Sequence, residues 1–104
     1  MPKPVSDNVY FIGIGGVGMS GIARVAHDQG LHVEGSDIKE SRFTKPLTDA
    51  GITVHIGHKA ENLPDTGPTV VISTAILEDN AELIRAQELG LNIVRRAEML
   101  AHLG

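Results

Sequence analysis

The chain has no cysteine and no tryptophan, and only one tyrosine and two phenylalanines among its 104 residues. Without cysteine there is neither a disulfide framework nor a thiolate metal site. Nine Lys and Arg stand against 13 Asp and Glu, a net charge of -4. The basic residues are scattered and have no aromatic neighbours on which bases would stack, so a nucleic-acid partner is not expected. No apolar run approaches the roughly 18 residues of a membrane helix. The opening Met1-Pro2-Lys3-Pro4-Val5-Ser6-Asp7-Asn8 lacks the apolar segment of a secretory signal. These absences lead us to expect one cytoplasmic domain over residues 1–104, with no membrane partner and no metal of its own.

What is abundant is glycine, 12 residues, and short β-branched runs within a 41% hydrophobic composition. Val9-Tyr10-Phe11-Ile12-Gly13-Ile14 reads as a buried strand that runs into a glycine cluster. Met19, Ile22, Ala23 and Ala26 then recur at helical spacing, and Gly30 stands where that helix would stop. A second strand is expected over 31–35, a short helix over 43–50 with Pro46 in its first turn, and a third strand over 52–56. After a polar connector with two prolines, a fourth strand is expected over 69–73. Asp79 or Asn80 caps a helix ending at Gly90, and a fifth strand over 92–95 leads into a last helix from Ala97. Alternating strands and helices with right-handed crossovers predict an α/β fold: a five-stranded parallel sheet, order 3-2-1-4-5, with helices on both faces. Its ligand crevice would lie between strands 1 and 4, at their C-terminal ends.

Gly13-Ile14-Gly15-Gly16-Val17-Gly18 matches G-x-G-x-x-G between a strand and a helix, the context in which backbone amides and a helix N-terminus receive phosphate oxygens. Gly18 and Gly21 are expected to let that helix lie close to the sheet. Asp37 follows Gly18 by about 20 residues at the end of strand 2, where dinucleotide sites place a ribose-binding carboxylate. On this evidence alone a nicotinamide-binding dehydrogenase or regulatory domain remains open. Ser20 adds a hydroxyl near the helix start.

The string from Phe11 to Ala23, with Gly35-Ser36-Asp37, Ser73-Thr74-Ala75-Ile76, Asp79-Asn80 and Val94-Arg95-Arg96-Ala97-Glu98-Met99-Leu100, resembles the UDP-N-acetylmuramate:L-alanine ligases of the Mur ligase family. The related murein tripeptide ligases typically carry a cysteine in the glycine loop and lack the Arg-Arg-Ala-Glu-Met-Leu ending. The resemblance implies a Rossmann-like N-terminal domain that holds UDP-N-acetylmuramic acid as one part of a three-domain bacterial enzyme. ATP and magnesium would belong to the central domain, and the C-terminal domain would help to bind the amino acid. In that reaction ATP phosphorylates the muramoyl carboxylate, and the alanine amine then forms the amide. No G-x-x-x-x-G-K-[ST] occurs in the chain, so no catalytic residue is assigned and the isolated domain is expected to be inactive.

By the same resemblance, the amides of Gly15, Gly16, Val17, Gly18, Met19 and Ser20 would face the diphosphate. Ser36 and Asp37 would line the nucleoside side, and Arg42 and His58 would reach phosphate or uracil. Ser73, Thr74, Ala75 and Ile76 would close over the uridine. Arg95 and Arg96 oppose the dipole of the last helix and so call for a partner, either the substrate or the other domains, although Glu98 in the same turn is a local candidate.

Overall fold

Five short apolar runs separated by glycine-marked turns become five strands in the computed structural model, which describes residues 5–103. In chain order the elements are β1 (Asn8–Ile12), α1 (Met19–Asp28), β2 (His32–Asp37), α2 (Lys45–Asp49) and β3 (Thr53–Ile56). A 3-10 turn (Ala60–Asn62) follows, then β4 (Thr69–Ile72), α3 (Ala81–Glu88), β5 (Ile93–Arg95) and α4 (Arg96–Leu103). The sheet is parallel throughout and ordered β3-β2-β1-β4-β5. β1 is central, with Phe11 in register with Gly35 on one side and Val71 on the other.

The pleat of β1 divides the core. Val9 and Phe11 join Ile22, Ala23 and Ala26 of α1, Leu47 of α2 and Met99 of α4 in one apolar cluster. Tyr10 and Ile12 join Leu63, Val70, Leu83 and Ala86 on the opposite face, under α3. Burial of both faces is why the strands read as continuous apolar runs instead of alternating ones.

Three helices end alike. Gly30, Gly51 and Gly90 follow α1, α2 and α3 with φ of 93°, 94° and 68°. The next residue's amide reaches back to the helix: Leu31 to Ala26, Ile52 to Leu47 and Leu91 to Ala86, at 3.0 to 3.1 Å. This left-handed turn satisfies carbonyls that the helix leaves open and sends the chain directly into the next strand. At the other end of α3, Asn80 Oδ1 accepts from the amides of Glu82 and Leu83 at 2.9 and 3.2 Å, so Asn80 is the cap.

As expected, the β3–β4 crossover is a connector without an α-helix: it contains only the 3-10 turn, and Pro64, Gly67 and Pro68 leave no uninterrupted stretch for a longer helix. Three expectations need correction. β2 continues through Ser36 and Asp37, because both pair with β3. Ile14 lies in the turn after β1, where it is nonetheless fully buried. Gly21 faces open space, so it plays no part in close packing of α1 on the sheet.

Candidate functional site

The glycine loop is built first by its own backbone. The Gly13 and Ile14 amides both donate to Ser36 O, at 2.9 and 2.8 Å, which ties the loop to the end of β2. Gly16 N donates to Gly13 O at 3.0 Å, and Met19 N and Ser20 N both donate to Gly16 O. Gly15 N donates to Asp37 Oδ2 at 2.8 Å. Of the six amides expected to face a phosphate, those of Val17 and Gly18 alone have no partner among the described residues. They stand where α1 begins, with Gly18 at φ 84°. Arg96 lies beside them: a Cβ on Gly18 would overlap its Nη1.

The carboxylate of Asp37 accepts from Gly15 N and, through Oδ1, from Ile38 N at 2.7 Å, so it closes the loop onto β2. Thr44 joins this contact, since a Cβ on Gly15 would meet Thr44 Cγ2 and Asp37 Oδ2. The Met19 side chain is buried in the apolar cluster under α1.

Ser36 is fully buried, and its hydroxyl donates to Glu82 Oε1 instead of facing a cleft. His58 Nδ1 lies 2.8 Å from Ser36 Oγ and 3.3 Å from Glu82 Oε1. Glu82 itself is 0% exposed. Its Oε2 accepts from Tyr10 Oη at 2.8 Å, Asn62 Nδ2 at 2.9 Å and Lys59 N at 3.2 Å. Burial pushes the Tyr10 phenol far above the ordinary tyrosine range, and the adjoining Glu82 carboxylate adds to the effect. Sequence reasoning missed Glu82 and Tyr10. The one available signal was the acid two residues beyond the cap Asn80, where the helix dipole favours a negative charge.

Two clefts meet at the C-terminal ends of β1 and β4 and share Gly16, Ser73 and Ala75. One, of about 370 Å³, is also lined by Gly13, Asp37, His58 and Ile76. The other, of about 570 Å³, is lined by Val17, Thr74, Arg95 and Arg96. Ser73 Oγ accepts from Ala75 N at 3.3 Å, which shapes the turn between them. The most exposed large apolar side chains, Val17 at 83%, Ile38 at 73% and Leu77 at 69%, all line these clefts. Arg42 does not join them. Its guanidinium stacks 5.0 Å from the Phe43 ring and lines a separate cleft of about 480 Å³ with Lys45, Thr48 and Ile56.

This crevice lies at the point where the strand order reverses, and the comparisons with known proteins bear on the same fold and loop. A family model described as "Mur ligase family, catalytic domain" matches residues 8–104. The chain belongs to the Mur ligase family. It is 57% identical over 103 residues to a UDP-N-acetylmuramate–L-alanine ligase of Rhizobium meliloti, covering 99% of this chain and 21% of that protein. To the one from Carboxydothermus hydrogenoformans it is 52% identical, over 91% of this chain and 20% of that one. Among solved structures, the Thermotoga maritima UDP-N-acetylmuramate-alanine ligase superposes with a TM-score of 0.84 at 34% identity, over 89% of this chain and 21% of that one. A murein peptide ligase from Psychrobacter arcticus gives 0.83 at 25% identity, covering 90% and 20%. This Mur ligase chain thus spans about a fifth of the length of the curated relatives it matches.

Proposed function

We propose that residues 1–104 form the N-terminal, UDP-N-acetylmuramic acid-binding domain of a bacterial, cytoplasmic ligase that joins L-alanine to this nucleotide sugar with ATP. The observation that carries the reading is the crevice itself. Two unpartnered amides at the start of α1, an arginine beside them and a rim of exposed apolar side chains meet at the switch point of a parallel sheet. Amides and guanidinium suit a diphosphate, and the apolar rim suits a nucleoside face or a neighbouring domain. Among solved structures, 34% identity to the alanine-adding ligase against 25% to the murein peptide ligase favours alanine as the amino acid, in line with the curated alanine-adding relatives above 50%.

Within this site Val17 and Gly18 supply the free amides, and Gly15, Gly16, Met19 and Ser20 hold the loop that presents them. Asp37, His58, Ser73, Thr74, Ala75 and Ile76 line the nucleoside side; Ser36 acts from behind, and Arg42 serves the separate cleft. ATP and magnesium do not fit the residues present, because no phosphate-loop lysine motif occurs in the sequence. They belong to the central domain, and the chemistry requires it together with the C-terminal domain. No helix among the described residues is long and apolar enough to cross a membrane. The carboxylate that a nicotinamide site needs free for a ribose is here engaged with two backbone amides, which weighs against that alternative.

The test is a titration of the labelled domain with UDP-N-acetylmuramic acid, NAD and ATP, followed by amide chemical shifts. The nucleotide sugar should move Val17 and Gly18 most, and the domain alone should release no ADP. Larger shifts at these amides with NAD would overturn the reading.

A further inference from the structure

Glu82 is a buried carboxylate with no lysine or arginine within ion-pair reach among the described residues, and its nearest base is His58. It sits in the first turn of α3, where the dipole favours negative charge, and five groups converge on its two oxygens. A carboxylate only accepts. The Ser36 proton therefore lies toward Glu82 Oε1, which leaves Ser36 Oγ as an acceptor toward His58 Nδ1. A bare Nδ1 lone pair would face two acceptor oxygens, at 2.8 and 3.3 Å, and gain nothing from either.

We infer that Glu82 and Ser36 are positioning residues that keep the proton of the neutral His58 ring on Nδ1, so that Nε2 turns a lone pair toward the cleft. Nε2 has no partner, yet no buried side-chain nitrogen or oxygen among the described residues lacks one, so Nε2 is open to solvent. The ring lines the cleft with Gly13, Asp37 and Ile76. Nε2 is thus an acceptor for an N–H or O–H donor of the bound ligand, such as an imide N–H of the base or a ribose hydroxyl. This ligand assignment rests on the proposed nucleotide site; the tautomer does not.

The experiment is nitrogen NMR of the ¹⁵N-histidine-labelled domain at about pH 8, where an ordinary imidazole is neutral. For His58 the expected result is a protonated, pyrrole-type Nδ1 and an unprotonated, pyridine-type Nε2. The opposite tautomer in the wild-type domain overturns the inference, whether or not any variant folds. Glu82→Gln should shift His58 toward the Nε2–H form; a folded Glu82→Gln that keeps the Nδ1–H form also overturns it. Titration with UDP, N3-methyl-UDP and 2′-deoxy-UDP then reads the ligand donor. Loss of about 3- to 10-fold in affinity on removing one donor, and the same loss with UDP in Glu82→Gln, is expected for one hydrogen bond. If UDP leaves Val17 and Gly18 unmoved while His58 shows the Nδ1–H form, the nucleotide reading fails and the positioning stands. If UDP moves them and no analogue loses affinity, the acceptor role of Nε2 fails.

Discussion

The two faces of the sheet rest on different physics. Under α1, α2 and α4 the core is dominated by one apolar cluster, from Val9 and Phe11 through Ala26 to Met99, with the buried Thr69 beside Val9 satisfied locally by Ser6 N at 3.0 Å. Under α3 the apolar residues Ile12, Leu63, Val70 and Leu83 surround a phenol, a serine hydroxyl and a carboxylate in one hydrogen-bonded group. The first face is non-directional: its stability follows area and packing, and equal-volume exchanges should cost little. On the second face each donor needs its acceptor in one place. That face ends at His58 and so at the cleft, whereas the apolar face supports the sheet from below. Directional bonding is concentrated where a side chain has to be aimed.

The largest expected effect lies on the apolar face. Phe11→Ala should cost about 3–5 kcal/mol in urea unfolding, because a fully buried ring next to the loop is lost and the site cannot collapse. A loss below about 1 kcal/mol would mean that this face is loosely packed and the comparison is wrong. Gly35→Ala should cost about 1–3 kcal/mol. A Cβ there would lie 2.5 Å from Phe11 O and under 3 Å from two atoms of Ile14, and backbone cannot move aside cheaply. The same unfolding curve measures it, and near-neutrality would show that β1 and β2 can separate at this point.

On the polar face Tyr10→Phe keeps the ring and removes one bond to a charged acceptor, a loss of about 1.5–3 kcal/mol at neutral pH. The pH dependence has a definite sign. Burial raises the folded-state phenol far above its unfolded value, so its contribution is complete below about pH 10 and declines as pH rises further. There the unfolded phenol ionises and the folded one does not. Wild-type stability should therefore fall more steeply than that of Tyr10→Phe above pH 10, by roughly 1.4 kcal/mol per pH unit. Parallel pH profiles would place Tyr10 outside the network. The smallest effect is a gain. Gly21→Ala in α1 adds a Cβ into open space and should stabilise the domain by about 0.5–1 kcal/mol, with the crevice unchanged. Altered UDP affinity in this variant would show that the outer side of α1 contributes to binding.

Local chemistry was readable from the chain itself. The parallel sheet and its order follow from buried β-branched runs joined by helices, and the helix ends follow from Gly30, Gly51, Gly90 and Asn80, because caps and left-handed turns depend on residues within a few positions of each other. The glycine loop was legible for the same reason, since its motif lies within one strand-to-loop-to-helix segment, whereas the crevice around it also needs Asp37, His58, the turn from Ser73 to Ile76 and the Arg95–Arg96 pair. Packing decided what depends on distance in sequence. Asp37 bonds Gly15 across 22 residues, Ser36 meets Glu82 across 46, and Tyr10 meets Glu82 across 72. No periodicity announces such pairs, because each forms only when β1, β2 and α3 are brought side by side. For that reason Ser36 turned out to face the core, Arg42 a different cleft, and Glu82, an unremarked acid in the sequence, became the centre of the buried network that aims His58.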